Sequence, residues 1–475
     1  MSKRQKKTTR RHFLEIAAAG MVLGPADLRR ALAAAADLGE GHVLGPRPTH
    51  FAPRAKRIVF LFMNGGFSHV DTFDYKPELQ KNHNAKIDVK EPLFKFEGRL
   101  IASPFAFERA GQSGLWVSEI FPHFKKVIDD VCVIRTMHSD ILEHTQASLQ
   151  MHTGSSSVAM PSVGSWISYG LGTFNRNLPS HVVLAAKDPY AGALSWDSSF
   201  LSPVHQGVRI IPGDDPIPNL RSAAPSVTLQ ELEQLMLRDL NRKHAEVRPA
   251  DERLRARDES FRVAQGMMRV APPLLDTSTE TPATLEMYGV PSDDRTSFAY
   301  QCLVTRRLLE SGVRVVEVVD SGGGTNNWDA HADVQEHRRN AAGVDQALKA
   351  FIMDLKERGL LDDTLVVIST EFGRTPWRQH NNTTPGRNHW NHAFTCLLAG
   401  AGVRGGMTYG TTDQWGAEIV EDPVHIHDFH ATILHILGLD HTQLTYRYGG
   451  RDFRLTDVYG KVIEKILSQA RTGPG

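Results

Sequence analysis

Acidic and imidazole side chains follow the apolar segments of this sequence. Glu371 comes directly after the run "TLVVIST", and His389 lies 18 residues further along, within "GRNHW". Asp329 and His331 follow the run "GVRVVEVV", and His144 follows "DVCVIRTMH". Carboxylates that are brought together repel each other unless a cation neutralises them. Because mixed carboxylate and imidazole sites suit zinc, manganese or iron, this pattern predicts a divalent metal site.

These side chains meet only if the segments that precede them are neighbouring strands of one sheet. Strand-like and helix-like segments alternate along the chain, and the strand segments are apolar throughout. Such a pattern is typical of an α/β fold in which helices cover both faces of a mostly parallel central sheet. Ligands of these folds bind at the carboxyl ends of the strands, which is where the acids and histidines lie.

The amino-acid composition limits the classes of ligand and partner that we expect for this protein. The 475 residues carry a formal net charge of zero, which gives no reason to expect a nucleic acid or an acidic membrane surface as partner. The count of 22 histidines is high and favours a metal site. Cys132 and Cys396 lie in apolar runs and are interpreted as small core residues, so the cysteines predict neither a disulfide framework nor a zinc cage.

Residues 1–36 resemble a twin-arginine export signal. A basic start is followed by "RRHFL" at residues 10–14, a moderately apolar stretch and small residues around Ala36, where cleavage is expected. The alternative is a basic amphipathic helix of a cytosolic protein. We predict export to the periplasm or the exterior and no membrane span in the mature chain, because no other apolar stretch approaches about 20 residues.

The remaining chain is predicted to form one elaborated domain. A linker at 37–54 precedes a domain at 55–468, and a tail follows at 469–475. An insertion at about 187–290 interrupts the domain. Its first part is rich in Pro, Gly, Ser and Asp, and residues 226–270 are charged and helical in pattern. We expect this insertion to shape specificity.

Six motifs in one order resemble a bacterial secreted family known as domain of unknown function 1501. They read "FMNGGFSHVDTFDYKPEL", "MHSDILEHTQASLQMHTG", "NWDAHADV", "STEFGRTP", "GRNHWNHAF" and "GRDFRLTDVYG". The resemblance spans about residues 50–468 and implies an alkaline-phosphatase-like fold, shared with sulfatases. It also implies hydrolysis or transfer of phosphate or sulfate esters. Members of that superfamily use one or two metal ions at the strand ends and a Ser, Thr or modified Cys nucleophile.

The resemblance also implies which residues act as metal ligands. The predicted ligands are Asp71, Asp329, His331, Glu371 and His389. They are expected to hold one or two divalent ions, with zinc, manganese and calcium as candidates. Phe372 stands where the superfamily usually has a His, which implies that one of two metal sites is impaired.

His144 occupies the position at which the superfamily carries its nucleophile, ten residues before Gly154. Three roles stay open. His144 is a metal ligand, or it is a nucleophile or general base, or the adjacent Thr145 is the nucleophile. Arg374 is the candidate for clamping a tetrahedral anion, because a guanidinium can donate two parallel hydrogen bonds.

These inferences predict an exported metal-dependent hydrolase of sulfate or phosphate esters, with a small-molecule or glycan ester as substrate. An exported metal-containing protein that binds anionic glycans or other ligands without catalysis is the alternative, supported by Phe372 and His144. A third possibility is a cell-envelope protein in which the metal only stabilises the fold. The substrate and the oligomeric state do not follow from the sequence.

Overall fold

The structure is a computed structural model that describes residues 44–90, 95–220, 225–248, 251–320, 327–379 and 385–469. The predicted export signal at residues 1–36 lies outside the described residues, as does the tail from residue 470 onward. Residues 44–475 form one unit by their internal contacts. Among the described helices, none combines the length and the apolar character needed to cross a membrane.

Most of the strands belong to one large sheet, and the others form small two-stranded ribbons. The strands of the described residues are β1 Arg57–Met63, β2 Lys86–Lys90, β3 Lys95–Arg99, β4 Phe107–Ala110, β5 Leu115–Ser118, β6 Val131–His138, β7 His181–Leu184, β8 Val208–Ile210, β9 Val315–Asp320, β10 Thr364–Ser369, β11 Gly373–Arg378, β12 Arg387–Trp390, β13 Phe394–Ala399, β14 Met407–Tyr409, β15 Thr411–Thr412, β16 Ile419–Glu421, β17 Val424–His425, β18 Tyr446–Tyr448 and β19 Arg451–Phe453.

The helices lie between these strands along the chain. The α-helices of the described residues are α1 His69–Thr72, α2 Pro77–Lys81, α3 His144–Thr153, α4 Val163–Leu171, α5 Val227–Glu246, α6 Glu252–Leu275, α7 Pro282–Tyr288, α8 Phe298–Glu310, α9 Glu336–Glu357 and α10 Ile426–Ile436. Short 3-10 turns occur at Phe124–Asp130, Gly192–Trp196, Pro203–His205, Thr277–Thr279, Leu361–Asp363 and Glu464–Ile466.

The central sheet has the order β14-β6-β13-β10-β1-β9-β7-β8, with β17 also paired to β6. β13 runs antiparallel to both of its neighbours, β10 and β6, and all other pairs in this sheet are parallel. β6 therefore points in the same direction as β10, β1, β9 and β7. The carboxyl ends of these five strands lie along one edge of the sheet.

Both faces of the sheet are buried. Along β1, Val59, Leu61 and Met63 pack into one hydrophobic cluster, and the alternate residues Ile58, Phe60 and Phe62 pack into another. Residues of α8 and α9 complete the first cluster, and residues of α4 and α10 complete the second. Successive side chains of a strand point to opposite faces, so a strand with helices on both sides must be apolar at every position. The predicted α/β fold with a mostly parallel, two-sided sheet is confirmed.

The 187–290 segment contributes to the central sheet as well as to the helices. It contains α5, α6 and α7, and it also supplies β8, which pairs with β7 at the edge of the central sheet. β8 has three residues and follows a stretch rich in Pro, Gly and Ser. So short a strand carries too few positions for its periodicity to be recognised in a sequence.

A buried ion pair joins α3 to the middle of the sheet. His152 Nε2 of α3 lies 2.9 Å from Glu317 Oε1 of β9, and both side chains are 4% exposed. His152 Nδ1 donates to Ser148 O at 2.7 Å, so both ring nitrogens act as donors. Burial opposes both charges, but the contact between the two groups outweighs it. The pKa of Glu317 is lowered to about 2, and the pKa of His152 is raised.

We expect this pair to make the free energy of unfolding depend on pH in two windows. Because the pKa of Glu317 is lowered from 4.5, its contribution is present above pH 4.5 and is lost as the pH falls toward 2. Because the pKa of His152 is raised above 6.5, its contribution is present below pH 6.5 and is lost as the pH rises through the higher value. Urea midpoints measured against pH on wild type, Glu317→Gln and the exposed control Glu310→Gln test this. Equal pH profiles for wild type and Glu317→Gln would contradict it.

Candidate metal centre

Four side chains converge at the carboxyl edge of the sheet. They are His144, Asp329, His331 and His389, and each offers one ligand atom within 4.8 Å of the others. His144 begins α3 in the connection after β6, and Asp329 and His331 follow β9. His389 lies in β12, the second strand of the hairpin that follows β10. Three strands therefore position the group, as expected for the carboxyl edge of a parallel sheet.

The spacing within the group suits a small cation. Asp329 Oδ1 lies 3.0 Å from His331 Nε2, 3.2 Å from His144 Nε2 and 3.4 Å from His389 Nε2. His331 Nε2 and His389 Nε2 are 2.8 Å apart. A tetrahedral zinc ion with nitrogen ligands at about 2.0–2.1 Å would hold its donors about 3.3 Å apart. The side chains are 9–30% exposed, so the group remains open to solvent on one side.

Hydrogen bonds from the opposite ring nitrogens turn the inner nitrogens of His389 and His144 toward Asp329. His389 Nδ1 lies 2.7 Å from Leu142 O, and His144 Nδ1 lies 2.7 Å from Glu371 Oε1. Both partners accept, so each Nδ1 carries a proton and each Nε2 is left to face the carboxylate. His144 Nε2 is buried and lies 3.2 Å from Asp329 Oδ1. A nitrogen and a carboxylate oxygen at this distance need a positive charge between them, and either a proton on the imidazole or a bound cation supplies it.

The pKa shifts agree with a site that attracts positive charge. Burial lowers the pKa of His144, but its contacts with Asp329 and Glu371 outweigh burial, and the net shift is upward. Burial raises the pKa of Asp329, but the three histidines and Arg374 hold it far below its usual range. Burial lowers the pKa of His389 to about 4. Three imidazoles and one carboxylate fit zinc or a similar transition metal, whereas calcium prefers oxygen ligands alone.

Glu371 lies beside the group of four and contacts it through His144. Its side chain is fully buried, and Oε1 accepts hydrogen bonds from His144 Nδ1 at 2.7 Å and from Gly65 N at 2.8 Å. Oε2 accepts from Thr370 Oγ1 at 3.0 Å. The sequence predicts a ligand at this position, and the structure places a carboxylate that fixes the ring of a histidine instead. Carboxylates in this position orient metal-binding imidazoles and raise their basicity.

We expect Glu371→Gln to weaken metal binding by about 10–100-fold while the chain still folds. Gln keeps the shape and one acceptor oxygen, but it loses the charge that supports His144. Competition titrations with a zinc chelator measure the effect. Glu143→Gln is the matched control, because Glu143 adjoins His144 yet is exposed and only caps α3. An unchanged dissociation constant in Glu371→Gln would contradict the role, and a loss far beyond 100-fold would indicate a direct ligand.

Gly65 permits the close approach of the loop that carries Asp329. Its φ is 115°, and a Cβ atom there would lie 2.7 Å from the backbone nitrogens of Trp328 and Asp329. Any other residue would displace this loop. The sequence suggests that Gly65 and Gly66 let the backbone approach a bound anion. In the structure, the space next to Gly65 is occupied by the chain itself.

Arg374 forms its hydrogen bonds with other parts of the protein and does not face a ligand. Its guanidinium is fully buried and donates to Gly66 O at 2.8 Å, to Asp329 Oδ1 at 2.6 Å and to Gly65 O. Since these acceptors are parts of the protein, the predicted anion clamp does not match this placement. The guanidinium instead ties the turn after β1 to the loop after β9.

Asp71 is placed outside the group of four. Its carboxylate accepts from Arg387 Nε at 2.6 Å and from Arg387 Nη2 at 3.1 Å, and both side chains are fully buried. Ser68 Oγ donates to the same carboxylate. A carboxylate with these donors already has its charge neutralised. The predicted ligand Asp71 therefore forms an ion pair that fastens α1 to the β11–β12 hairpin, which carries His389.

Thr145 is exposed at the start of α3, and its backbone nitrogen donates to the capping side chain of Glu143 at 3.1 Å. Of the three roles left open by the sequence, the placement of His144 in the group favours the ligand role. The nucleophile and general-base roles stay untested.

Aromatic rings enclose the imidazoles. Phe372 is fully buried, and its ring centroid lies 4.4 Å from that of His389 and 4.8 Å from that of His144. Tyr190 stacks on His144 at 4.0 Å with planes 13° apart, and its hydroxyl is 3.4 Å from Asp329 Oδ2. Asn327 Nδ2 donates to the Tyr190 hydroxyl at 2.8 Å. Burial raises the pKa of Tyr190 to about 12.

Sequence reasoning missed Tyr190 and Asn327. Tyr190 follows β7 by six residues, so the rule that ligands meet strand ends would have found it, but it lies in the segment read as an irregular insertion.

The histidines of α10 form hydrogen bonds to backbone carbonyls. His427 Nε2 lies 2.8 Å from Gly154 O, and His430 Nε2 lies 2.8 Å from Met151 O. Both contacts pack α10 against α3, so these two histidines have a structural role.

Solved structures with related architecture match most of the chain at low similarity. The lipoteichoic acid synthase LtaP from Listeria monocytogenes is 9% identical, with 87% of this chain and 78% of that chain covered and a TM-score of 0.38. A protein of the alkaline phosphatase superfamily from Vibrio parahaemolyticus is 11% identical, with 87% and 74% covered and a TM-score of 0.37. The PsFucS1 sulfatase from Pseudoalteromonas sp. is 12% identical, with 81% and 68% covered and a TM-score of 0.34. These similarities assign no activity to this chain.

Comparison of the sequence with protein families assigns the chain to a family. No curated protein matches the sequence. The model of one protein family matches residues 55–467, which is most of the chain and nearly the whole of the predicted domain. The chain thus belongs to the family described as protein of unknown function, DUF1501.

Proposed function

We propose that this protein is an exported hydrolase of phosphate or sulfate esters that depends on one divalent metal ion, zinc or manganese. The observation that carries the proposal is the convergence of three imidazoles and one carboxylate at the carboxyl edge of the sheet. When bound there, a divalent ion would polarise an ester oxygen and lower the pKa of a water molecule.

The residues around the group have separate tasks in this proposal. His144, His331, His389 and Asp329 would hold the ion, and Glu371 fixes the ring of His144. Tyr190 keeps its phenolic proton near neutral pH, since its pKa is raised to about 12. Its hydroxyl donates to Asp329 Oδ2 across 3.4 Å, a long contact that it would exchange for a hydrogen bond to an oxygen on which negative charge develops.

The direct test is turnover of simple esters. Chain purified with zinc or manganese would be assayed with 4-nitrophenyl phosphate, bis(4-nitrophenyl) phosphate and 4-nitrophenyl sulfate, with Tyr190→Phe as a variant that keeps the ring. We expect turnover of at least one ester, and a lower kcat with little change of KM in Tyr190→Phe, because the hydroxyl acts on developing charge. Metal-loaded chain that turns over none of the three would contradict the proposal.

A second candidate function follows from the same geometry. Four protein donors can complete a tetrahedral site, and structural zinc sites are closed in this way. Arg374 donates to acceptors of the protein itself, so it does not face a ligand at the group. An exported protein that holds one metal ion and binds anionic glycans or other ligands without catalysis would show this arrangement. Stoichiometric metal without ester turnover would favour it.

Export is part of the proposal and is supported by the motif "RRHFL" at residues 10–14. Twin-arginine export carries folded proteins, which suits a chain that acquires its metal before transport. We expect the double variant Arg10→Lys, Arg11→Lys to accumulate in the cytoplasm of the native host. Fractionation followed by immunoblotting measures this. Equal export of wild type and variant would exclude the twin-arginine route.

A further inference from the structure

A cavity separate from the metal centre lies beside the carboxyl end of α3. Its volume is about 230 Å³, and it is open to solvent. Its lining comes from six places: Asp140 before α3, the carboxyl end of α3 with the serine-rich loop after it, the start of α4, Phe200 before the 3-10 turn at Pro203–His205, the start of α10, and the β18–β19 hairpin with the residues that follow it. None of the four metal-centre side chains lines it.

One wall of the cavity is aromatic and continues onto the surface. Phe200, Phe453 and Trp166 line the cavity. Phe200 stacks on Tyr448 with ring centroids 5.1 Å apart and planes 16° apart, and it packs against Phe453 at 5.0 Å. Tyr448 is 54% exposed, although it is a large ring. Stacked rings that stay open to solvent present flat apolar faces to a ligand.

The opposite wall is polar and balanced in charge. It carries two acids, Asp140 and Asp457, and two basic residues, Arg451 and Arg454, beside the hydroxyls of the serine loop. Arg451 donates to the Asp457 carboxylate, and Arg454 donates to Asp457 O. Asp140 remains 60% exposed and has acceptor capacity left beyond its contacts. This balance gives an ion of either sign no advantage over a neutral ligand.

Flat apolar rings beside carboxylate and hydroxyl groups match one class of ligand. A pyranose has a face of C–H groups that packs on aromatic rings and an edge of hydroxyls that donate to carboxylates. We propose that this cavity is a binding site for neutral sugar residues of an oligosaccharide. The site goes beyond the proposed ester hydrolysis and stands without it.

The cavity and the metal centre share one segment of chain. Asp140 lines the cavity, Leu142 O accepts the hydrogen bond from His389 Nδ1, and His144 belongs to the metal centre. Asp140 and His144 are four residues apart, so their Cα atoms lie within about 14 Å of each other. An oligosaccharide of several residues held in the cavity would therefore be long enough to reach the metal centre.

Calorimetric titration with cellohexaose, maltohexaose, xylohexaose and chitohexaose tests the proposal, first on the intact chain and then after treatment with a metal chelator. We expect at least one hexasaccharide to bind the wild type in both states. Asp457→Asn and Phe453→Ala should each weaken that binding by about tenfold or more. Asp457 has a φ of 47°, a conformation that Asn tolerates well, so Asp457→Asn removes the charge without straining the backbone.

Matched controls come from the same chain. Asp452→Asn changes an exposed acid on the same hairpin outside the cavity, and Phe261→Ala changes an exposed ring on α6; both should bind as wild type does. Phe453→Tyr, which keeps the ring, should retain binding even if Phe453→Ala folds poorly.

Absence of binding by all four hexasaccharides at millimolar concentration would overturn the proposal. Equal binding by wild type and Asp457→Asn, or binding only of sulfated or phosphorylated sugars, would overturn it as well. Because binding is measured without metal, a failure of ester hydrolysis leaves the result unaffected.

Discussion

Asp329→Ala is expected to abolish metal binding and ester hydrolysis and to lower the free energy of unfolding by about 3–5 kcal/mol. Asp329 Oδ1 faces the Nε2 atoms of all three histidines and accepts a hydrogen bond from Arg374 at 2.6 Å. Removing the carboxylate takes away the one anionic ligand of the group. It also leaves a fully buried guanidinium without its charged partner.

Metal content and stability separate these two effects. Elemental analysis by mass spectrometry gives the metal content, and urea unfolding gives the free energy. His389→Ala should lose the metal as well but keep the contact between Asp329 and Arg374, so it should lose less stability in metal-free buffer. His392→Ala changes a neighbouring histidine that stacks on Trp390, and it should keep the metal. Full metal content in both Asp329→Ala and His389→Ala would refute the metal centre.

Asp71→Ala is expected to destabilise the fold by about 3–5 kcal/mol, an effect as large as any single substitution in this chain should give. Asp71 and Arg387 are both fully buried and are joined by two hydrogen bonds. Burial raises the pKa of Asp71, but Arg387 outweighs it and the net shift is downward. The contribution is therefore present above the ordinary value of 3.8 and is lost as the pH falls below it.

Urea unfolding at neutral and acidic pH measures this effect. Asp452→Ala is the control, because Asp452 forms an exposed ion pair with Arg447 and such pairs contribute about 0–1 kcal/mol. Asp71→Asn should keep the metal at neutral pH if the variant remains folded, since the carboxylate lies outside the group of four. Loss of metal from folded Asp71→Asn would restore Asp71 as a ligand.

The sequence does not show in which direction each strand of the sheet runs. The apolar runs that become β6, β10 and β13 are recognisable, because a strand buried on both faces is apolar at every position. The antiparallel direction of β13 cannot be recognised in the sequence. Hydrophobic periodicity reports burial, and it is the same for both strand directions. The reversal at β13 nevertheless matters, since two successive antiparallel pairings return β6 to the common direction and place His144 at the edge with the other ligands.

The sequence by itself predicted the fold class that the structure shows, and it named Asp329, His331 and His389, which the structure brings together in the candidate metal centre at the predicted edge of the sheet. These depend on local properties: which segments are buried and which side chains follow them. Only the tertiary structure decided that His144 completes the group, that Glu371 fixes His144, and that Asp71 and Arg374 are held in contacts of their own. The physical reason is that a carboxylate neutralised by arginine and one neutralised by a metal look the same in a sequence. The partner within about 3 Å decides between them, and that partner is distant along the chain: 45 residues separate Asp329 from Arg374, and 316 separate Asp71 from Arg387.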